Sequence, residues 1–473
     1  MLSPLIRRPG RSADPRSKER GITMALVAVA LVTIISVAAL SIDIGTLYQA
    51  KAEAQRAADA AALTAARLIS ISGLTGVTSA SWGPICGGAA STATQAAISM
   101  AQQNLIGGVA APTASISVGY GAGSSGGSNA DCSGLGATFA VNPVVTVSVQ
   151  RTNLPVYFAR IFSLFGSRYS GSSVSATATA EAFNPSGSTP VIPVNPRCVK
   201  PWVVPNLDPG NVPNSFIDPV AGTMTRTGVS PAGPVGETFN LKVDCGASGG
   251  KCILANAPIA TAGPPLTLNY VPGQVSNASV ALAANSTIAA CSSVTTNDYA
   301  EAVAGCDQST IYHCGTALAN NVDLTEDPAP PGNDSVNSAQ CLINATLSGL
   351  GNGQDYLASG GAPPPYTYPF QILAGDNSAL LSATLASGSQ ITSSPSIVSL
   401  PIYDNTATAL TPASTGTIAV SVIGFLQVFI NSVDSVTGNI NVTVMNVSGC
   451  GNAATKPAVV GTSPVPVRLI TPP

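Results

Sequence analysis

The chain has 473 residues, room for two or three domains beyond a short terminal segment, yet only 9% of it is charged while 46 Gly and 37 Pro recur throughout. Long amphipathic surface helices need many Lys and Glu, so this composition favours short strands and turns closed by Gly, Pro, Asn and Ser. The net charge is −3, and basic residues cluster only in the first twenty positions, where Arg7, Arg8, Arg11, Arg16, Lys18 and Arg20 face Asp14 and Glu19; no nucleic-acid footprint exists beyond that tail.

After the basic tail (1–20) comes an uncharged run, residues 21–42, bounded by Gly21 and Ile22 at one end and Leu40 and Ile42 at the other, with Leu26 and Leu31 inside it. As a helix it extends roughly 33 Å, enough to cross a hydrocarbon core of about 30 Å. It is longer than the apolar core of a cleaved signal peptide, and no turn follows it, so it reads as one uncleaved membrane span. Lys and Arg beside a span stay on the cytoplasmic side, which predicts an extracytoplasmic C-terminal bulk.

Residues 43–69 continue without proline and are rich in Ala, so one helix is expected from about Ile22 to Ile69, some 70 Å long. Leu47, Ala50, Ala54, Ala57, Ala58 and Ala61 recur at helical spacing and form a narrow seam, predicted to pack closely on a partner surface. A Ser/Gly/Thr cluster from Ser70 to Gly76 ends the helix.

Residues 70–183 read as a small α+β domain. A second helix is expected over Ala89–Ile106, then a strand over Ala114–Tyr120. A further strand places Val145, Val147 and Val149 on one face, and a short helix follows over Leu154–Phe165. The last strand carries Val174, Ala176, Ala178, Ala180 and Ala182 on one face. Residues 184–196 form a Pro-rich linker. Residues 197–473 read as a mainly β, loop-rich, disulfide-containing distal domain, so the whole chain is α+β. Its best strands are Phe239–Val243, Ile397–Tyr403, Gly416–Asn431 and Gly438–Val447, the last two forming a hairpin. Asp323–Asp334 and Gly351–Pro369 are expected to be irregular.

Ten cysteines, Cys86, Cys132, Cys198, Cys245, Cys252, Cys291, Cys306, Cys314, Cys341 and Cys450, all follow the span, which suits a compartment where disulfides persist. Local pairing would join Cys86 to Cys132, Cys245 to Cys252 and Cys306 to Cys314, leaving Cys198, Cys291, Cys341 and Cys450 unassigned. His313 is the single histidine, and no Gly-x-Ser-x-Gly elbow accompanies it. No Cys pair has Cys-x-x-Cys spacing. Asp323, Glu326 and Asp327 sit in a Pro-rich loop where solvated turn residues are the default. These residues assign no catalytic group, cofactor, metal site or small-molecule substrate, and a non-enzymatic protein is expected.

Several short stretches carry a family likeness. They are Arg20-Gly21 before the span, the exit Asp43-Ile44-Gly45 with Tyr48 one turn on, and Gln55 with the run Ala57-Ala58-Asp59-Ala60-Ala61-Ala62-Leu63. This segment, about a tenth of the chain, resembles the N-terminal region of the Flp (Tad) pilus-assembly TadG-like proteins of bacteria. Leu154 to Ile161, Cys198 to Pro205 and Val422 to Phe425 are similar to members with long exported domains. The resemblance implies a structural or accessory component of a type IVc pilus system, anchored in the bacterial inner membrane, with other pilus-assembly proteins as partners and no catalytic residues. A prepilin-type site would cut after Gly21 and place an acidic residue where this chain has Leu26, so an uncleaved anchor is expected. A surface adhesion module using the distal loops is the alternative, and an exported hydrolase has the least support.

Overall fold

The computed structural model describes residues 16–73, 75, 82–123, 126–136, 139–140, 142–155, 157–158, 172–184, 194–243, 246–248, 251–253, 260–261, 265–275, 278, 280, 291, 294, 297–314, 319–323, 329–345, 353–358, 368–383, 385–407, 410, 416–450, 459–461 and 463–470. Helix α1 (Arg16–Ile71) runs for 56 residues, about 84 Å at the helical rise. It holds no proline, so no turn loses a backbone donor. It stops at Gly73, whose φ of +75° is left-handed and whose added Cβ would meet Phe370 and Val235 at 3.0 Å. Only glycine fits such a stop without strain.

The second half of α1 shares one core with α2 (Thr92–Gln103) and a sheet of β1 (Ile116–Ala122), β2 (Pro143–Leu154) and β3 (Ser172–Ala182). β2 pairs antiparallel with both neighbours. The valines Val145, Val147 and Val149 alternate into this core, as do Ala176, Ala178, Ala180 and Ala182 of β3. Two expectations shift here. The second helix is shorter than Ala89–Ile106 and follows a single turn at Gly83–Cys86. Leu154 ends β2, paired with Ser172, instead of opening a helix; of the remainder of that expected helix, residues 156 and 159–165 lie outside the described residues.

After β3 the chain leaves for a second body. There β4 (Trp202–Pro205), β5 (Thr238–Val243), β6 (Thr267–Pro272), β8 (Ile397–Tyr403), β9 (Thr417–Asp434) and β10 (Asn439–Gly449) close into a six-stranded ring in the order β9-β8-β4-β6-β5-β10, with β10 pairing back to β9. A further strand, β7 (Ala319–Asp323), pairs with the start of β9. Closure leaves the ring strands without free edges, the usual solution for a mainly β body. Alternation along β9 sends Leu426, Val428 and Ile430 inward, while Phe425 and Phe429 join separate outer clusters. Trp202, Val204, Leu241, Leu268, Tyr270 and Leu400 complete the inner core.

Helices α3 (Asp298–Ala304) and α4 (Ala329–Leu342) add Tyr299, Val303 and Ala339 to it. α4 overlaps the stretch expected to be irregular at Asp323–Asp334. Its Pro330 and Pro331 stand in the first turn, where a missing N–H removes no intrahelical bond, so proline-richness was compatible with a helix start. The expected β9–β10 hairpin is present, with Leu426 opposite Val447. Finally β11 (Val467–Ile470) returns to the first sheet and pairs antiparallel with β3, making the order β1-β2-β3-β11. The ring is therefore an excursion between β3 and β11. Arg468 fastens that return by pairing with Glu181 and lying 4.9 Å over the Phe183 ring.

Ala58 and Ala178 are both buried in the core between α1 and the sheet. Ala58→Leu should lower unfolding stability by about 1–3 kcal/mol through overpacking, while Ala52→Leu, on the exposed face of α1, should be near neutral. Denaturant unfolding of the two variants checks this, and equal stability would contradict the close contact.

Candidate functional site

Helix α1 changes character three times along its length. From Thr23 to Ile42 its side chains are almost all exposed although the stretch is strongly apolar. Leu26, Leu31, Leu40 and Ile42 are each exposed; Gly21 and Ile22 lie within the helix. Apolar helix faces are normally buried in a core, so a helix apolar on every side and uncovered has the length and composition to cross a membrane.

The change comes at Asp43, which is only 2% exposed. Its Oδ1 accepts from the Tyr157 N–H at 2.9 Å and its Oδ2 from the Phe158 N–H at 3.0 Å. A carboxylate buried at the end of an apolar run is costly unless such donors satisfy it. One carboxylate thus grips the loop that follows β2.

Beyond it the seam is sealed. Ala50, Ala54, Ala57, Ala58 and Ala61 are buried, Leu47 packs against the same cluster, and Ala62, Ala65, Ala66, Leu68 and Ile69 extend it to the helix end. The surface that covers the seam belongs to the chain itself, the small-residue face of β3 and helix α2. Polar side chains flank it and fix the helix rotation. Lys51 donates to the Ser175 carbonyl, Gln55 to the Thr177 carbonyl at 3.3 Å, and Glu53 accepts from the Gly107 N–H at 2.7 Å.

At its far end α1 enters the ring body through a buried polar network. Asn446 Nδ2 donates to the Ser70 carbonyl at 2.8 Å and to Gln427 Oε1 at 2.7 Å, while Thr75 Oγ1 donates to Asn446 Oδ1 at 2.9 Å. Ser70 Oγ donates to the Val465 carbonyl at 2.9 Å, and Gln427 Nε2 to Ser463 Oγ at 2.6 Å. Asn446 and Gln427 are cross-strand neighbours on β10 and β9. Phe370 N–H and Tyr368 O–H cap the Ser72 and Gly73 carbonyls. Part of the segment from Gly351 to Pro369 therefore serves to hold the helix end.

Disulfides join Cys86 to Cys132, Cys198 to Cys306, Cys291 to Cys341 and Cys314 to Cys450. Cys306 and Cys314 are not bonded to each other; each reaches a segment 108 or 136 residues away, because the ring brings β4 and the end of β10 beside the loop after α3. The Cys245–Cys252 pairing lies outside the described residues. Two buried charge clusters escaped sequence reading. Lys200 donates to the Ala302 and Gly305 carbonyls, and burial pushes its ammonium down to about 7, with nearby Asp307 opposing. Arg226 bridges Asp208 and Glu237, and burial together with Asp208 pushes the Glu237 carboxyl up to about 8. Both clusters fasten loops to the ring. Among the described residues no three His, Cys, Asp or Glu side chains gather as a metal site would require.

A helix exposed and apolar in one half and locked into a folded head in the other defines a helix-stalked protein of two bodies. Its stalk has a known counterpart: residues 21–68 match the model of the family described as putative Flp pilus-assembly TadE/G-like. The match spans the apolar run, the Asp43 exit and the alanine seam, and leaves the ring body outside it. No curated protein and no solved structure matches the chain.

Removing the Asp43 carboxylate leaves two loop amides without their acceptor. Asp43→Ala should cost about 1–3 kcal/mol and raise hydrogen exchange at Tyr157 and Phe158, with Asp43→Asn intermediate. Unchanged exchange at those two amides would contradict the grip.

Proposed function

We propose that this chain is a membrane-anchored, non-enzymatic structural or accessory component of a Flp (Tad) pilus assembly system, its folded bodies extracytoplasmic and its basic tail cytoplasmic. The observation that carries the reading is the coincidence of the family match at 21–68 with the part of α1 that is both exposed apolar helix and domain core. A cleaved leader would be dispensable to the fold, whereas here one unbroken helix supplies both the apolar run and the packing seam. The orientation follows from the basic residues before the apolar run, and the disulfides accord with export. The anchor would hold the bodies at a fixed place in a multi-protein assembly, with other pilus-assembly proteins as partners.

Two measurements on the native system test this. After an alkaline carbonate wash the full-length protein should remain in the membrane pellet, and cells lacking it should fail to display Flp pili. A soluble, shortened protein beginning beyond Ile42 would contradict the anchor, and normal piliation of the deletion strain would contradict the assembly role.

A further inference from the structure

The apolar run of α1 and the loop after β2 meet at one level, and that meeting fixes what the underside of the folded head must touch. Asp43 is the first ionisable side chain after the apolar run, so it marks the edge of the nonpolar layer on the reading that residues 21–42 span it. Its carboxylate holds the Tyr157 and Phe158 amides at 2.9 and 3.0 Å, which puts those two residues at the same height. Their side chains are nonetheless 64% and 45% exposed. On the helix itself Ile44 is 44% and Tyr48 74% exposed.

From Ile44 to Ala50 α1 carries no charged side chain, and the first basic group beyond, Lys51, is engaged by the Ser175 carbonyl. Five residues of helix raise Tyr48 about 7.5 Å above Asp43, close to the depth of one headgroup layer, roughly 5–8 Å. Tyr and Phe exposed at these heights place their rings at the boundary of acyl chains and headgroups or within the headgroup layer, with the Tyr hydroxyl towards water.

We propose that Ile44, Tyr48, Tyr157 and Phe158 form an aromatic collar that seats the folded head directly on the lipid headgroup layer of the leaflet from which α1 emerges. The inference rests on the anchor reading and goes beyond it. The head does not stand off the bilayer on a free stalk; it is held against lipid on two sides, by α1 and by the loop that Asp43 grips. The occupant is lipid because the collar is continuous with the apolar helix surface, and among the described residues neither Ile44–Ala50 nor Tyr157 and Phe158 bring a charged side chain to it.

The test uses the full chain reconstituted in phosphatidylcholine vesicles, with and without bromine near the top of the acyl chains. The native tryptophans, Trp82 and Trp202, are buried and give a weakly quenched background. Phe158→Trp adds an emission expected to lose most of its intensity in brominated lipid and little to aqueous iodide, and Tyr48→Trp, a headgroup depth higher, one shielded from iodide and quenched by bromine to a smaller extent. Val436→Trp, at the exposed tip of the β9–β10 hairpin, should show the reverse. Leu31→Trp, at mid-span, reports the span itself in vesicles brominated near the ends of the acyl chains. If Leu31→Trp is quenched by bromine while both collar variants are quenched by iodide, the collar is overturned and the anchor stands. Collar emission protected from both quenchers marks a protein partner and overturns the lipid seat. If Leu31→Trp also escapes brominated lipid, the anchor reading fails and the collar falls with it.

Discussion

The contact between the alanine seam of α1 and the alanine face of β3 is the constraint on which the rest of this protein depends. Each Ala buries little apolar area, so the stabilisation comes from many close dispersion contacts made over a long interface instead of from a few large side chains. Such an interface tolerates little rotation or sliding. It fixes α1 on the sheet over about six turns, from Ala50 to Ile71, and so converts a helix that would otherwise be a tether into a rigid element of the fold.

The two ends of that contact are finished in different chemistry. At the lower end a single carboxylate, Asp43, ties the helix to the loop after β2. At the upper end Asn446 and Gln427 receive the helix terminus into the ring body, each side-chain amide satisfied on both its oxygen and its nitrogen. Fully satisfied buried networks specify one arrangement, since any displacement leaves costly orphaned polar groups. β11 closes the loop of connections by returning to β3 after the ring is complete. The long-range disulfides then hold a body that is poor in charge and rich in loops; for separations on the order of 100 residues the chain-entropy model gives about 4–5 kcal/mol each.

Much of this was legible in the residues because it is local. The apolar run, the proline-free Ala-rich continuation and the period-two strands at Val145–Val149 and Ala176–Ala182 each announce their structure within a few turns. The Ile397–Tyr403 strand and the β9–β10 hairpin were likewise readable from alternation. What escaped reading is what depends on long-range topology. Sequence proximity suggested Cys306–Cys314, but ring closure, not spacing, decides which thiols meet. The seam's partner was left as an unnamed surface because nothing local ties Ala58 to Ala178. Asp43 marked the end of the span and gave no sign that its acceptors would be filled by residues 157 and 158. Proline-richness at 329–331 suggested a loop, although the same residues suit a first helical turn.

The central claim is that one helix passes unbroken from the apolar run, through the Asp43 exit, into the ring body. Hydrogen exchange of the full-length protein in lipid vesicles, resolved along α1, tests it most directly. The account predicts slow exchange as one continuous block from Asp43 to Ile71, with no gap at the exit. A fast-exchanging break between Asp43 and Ala50 would separate span from head and contradict it.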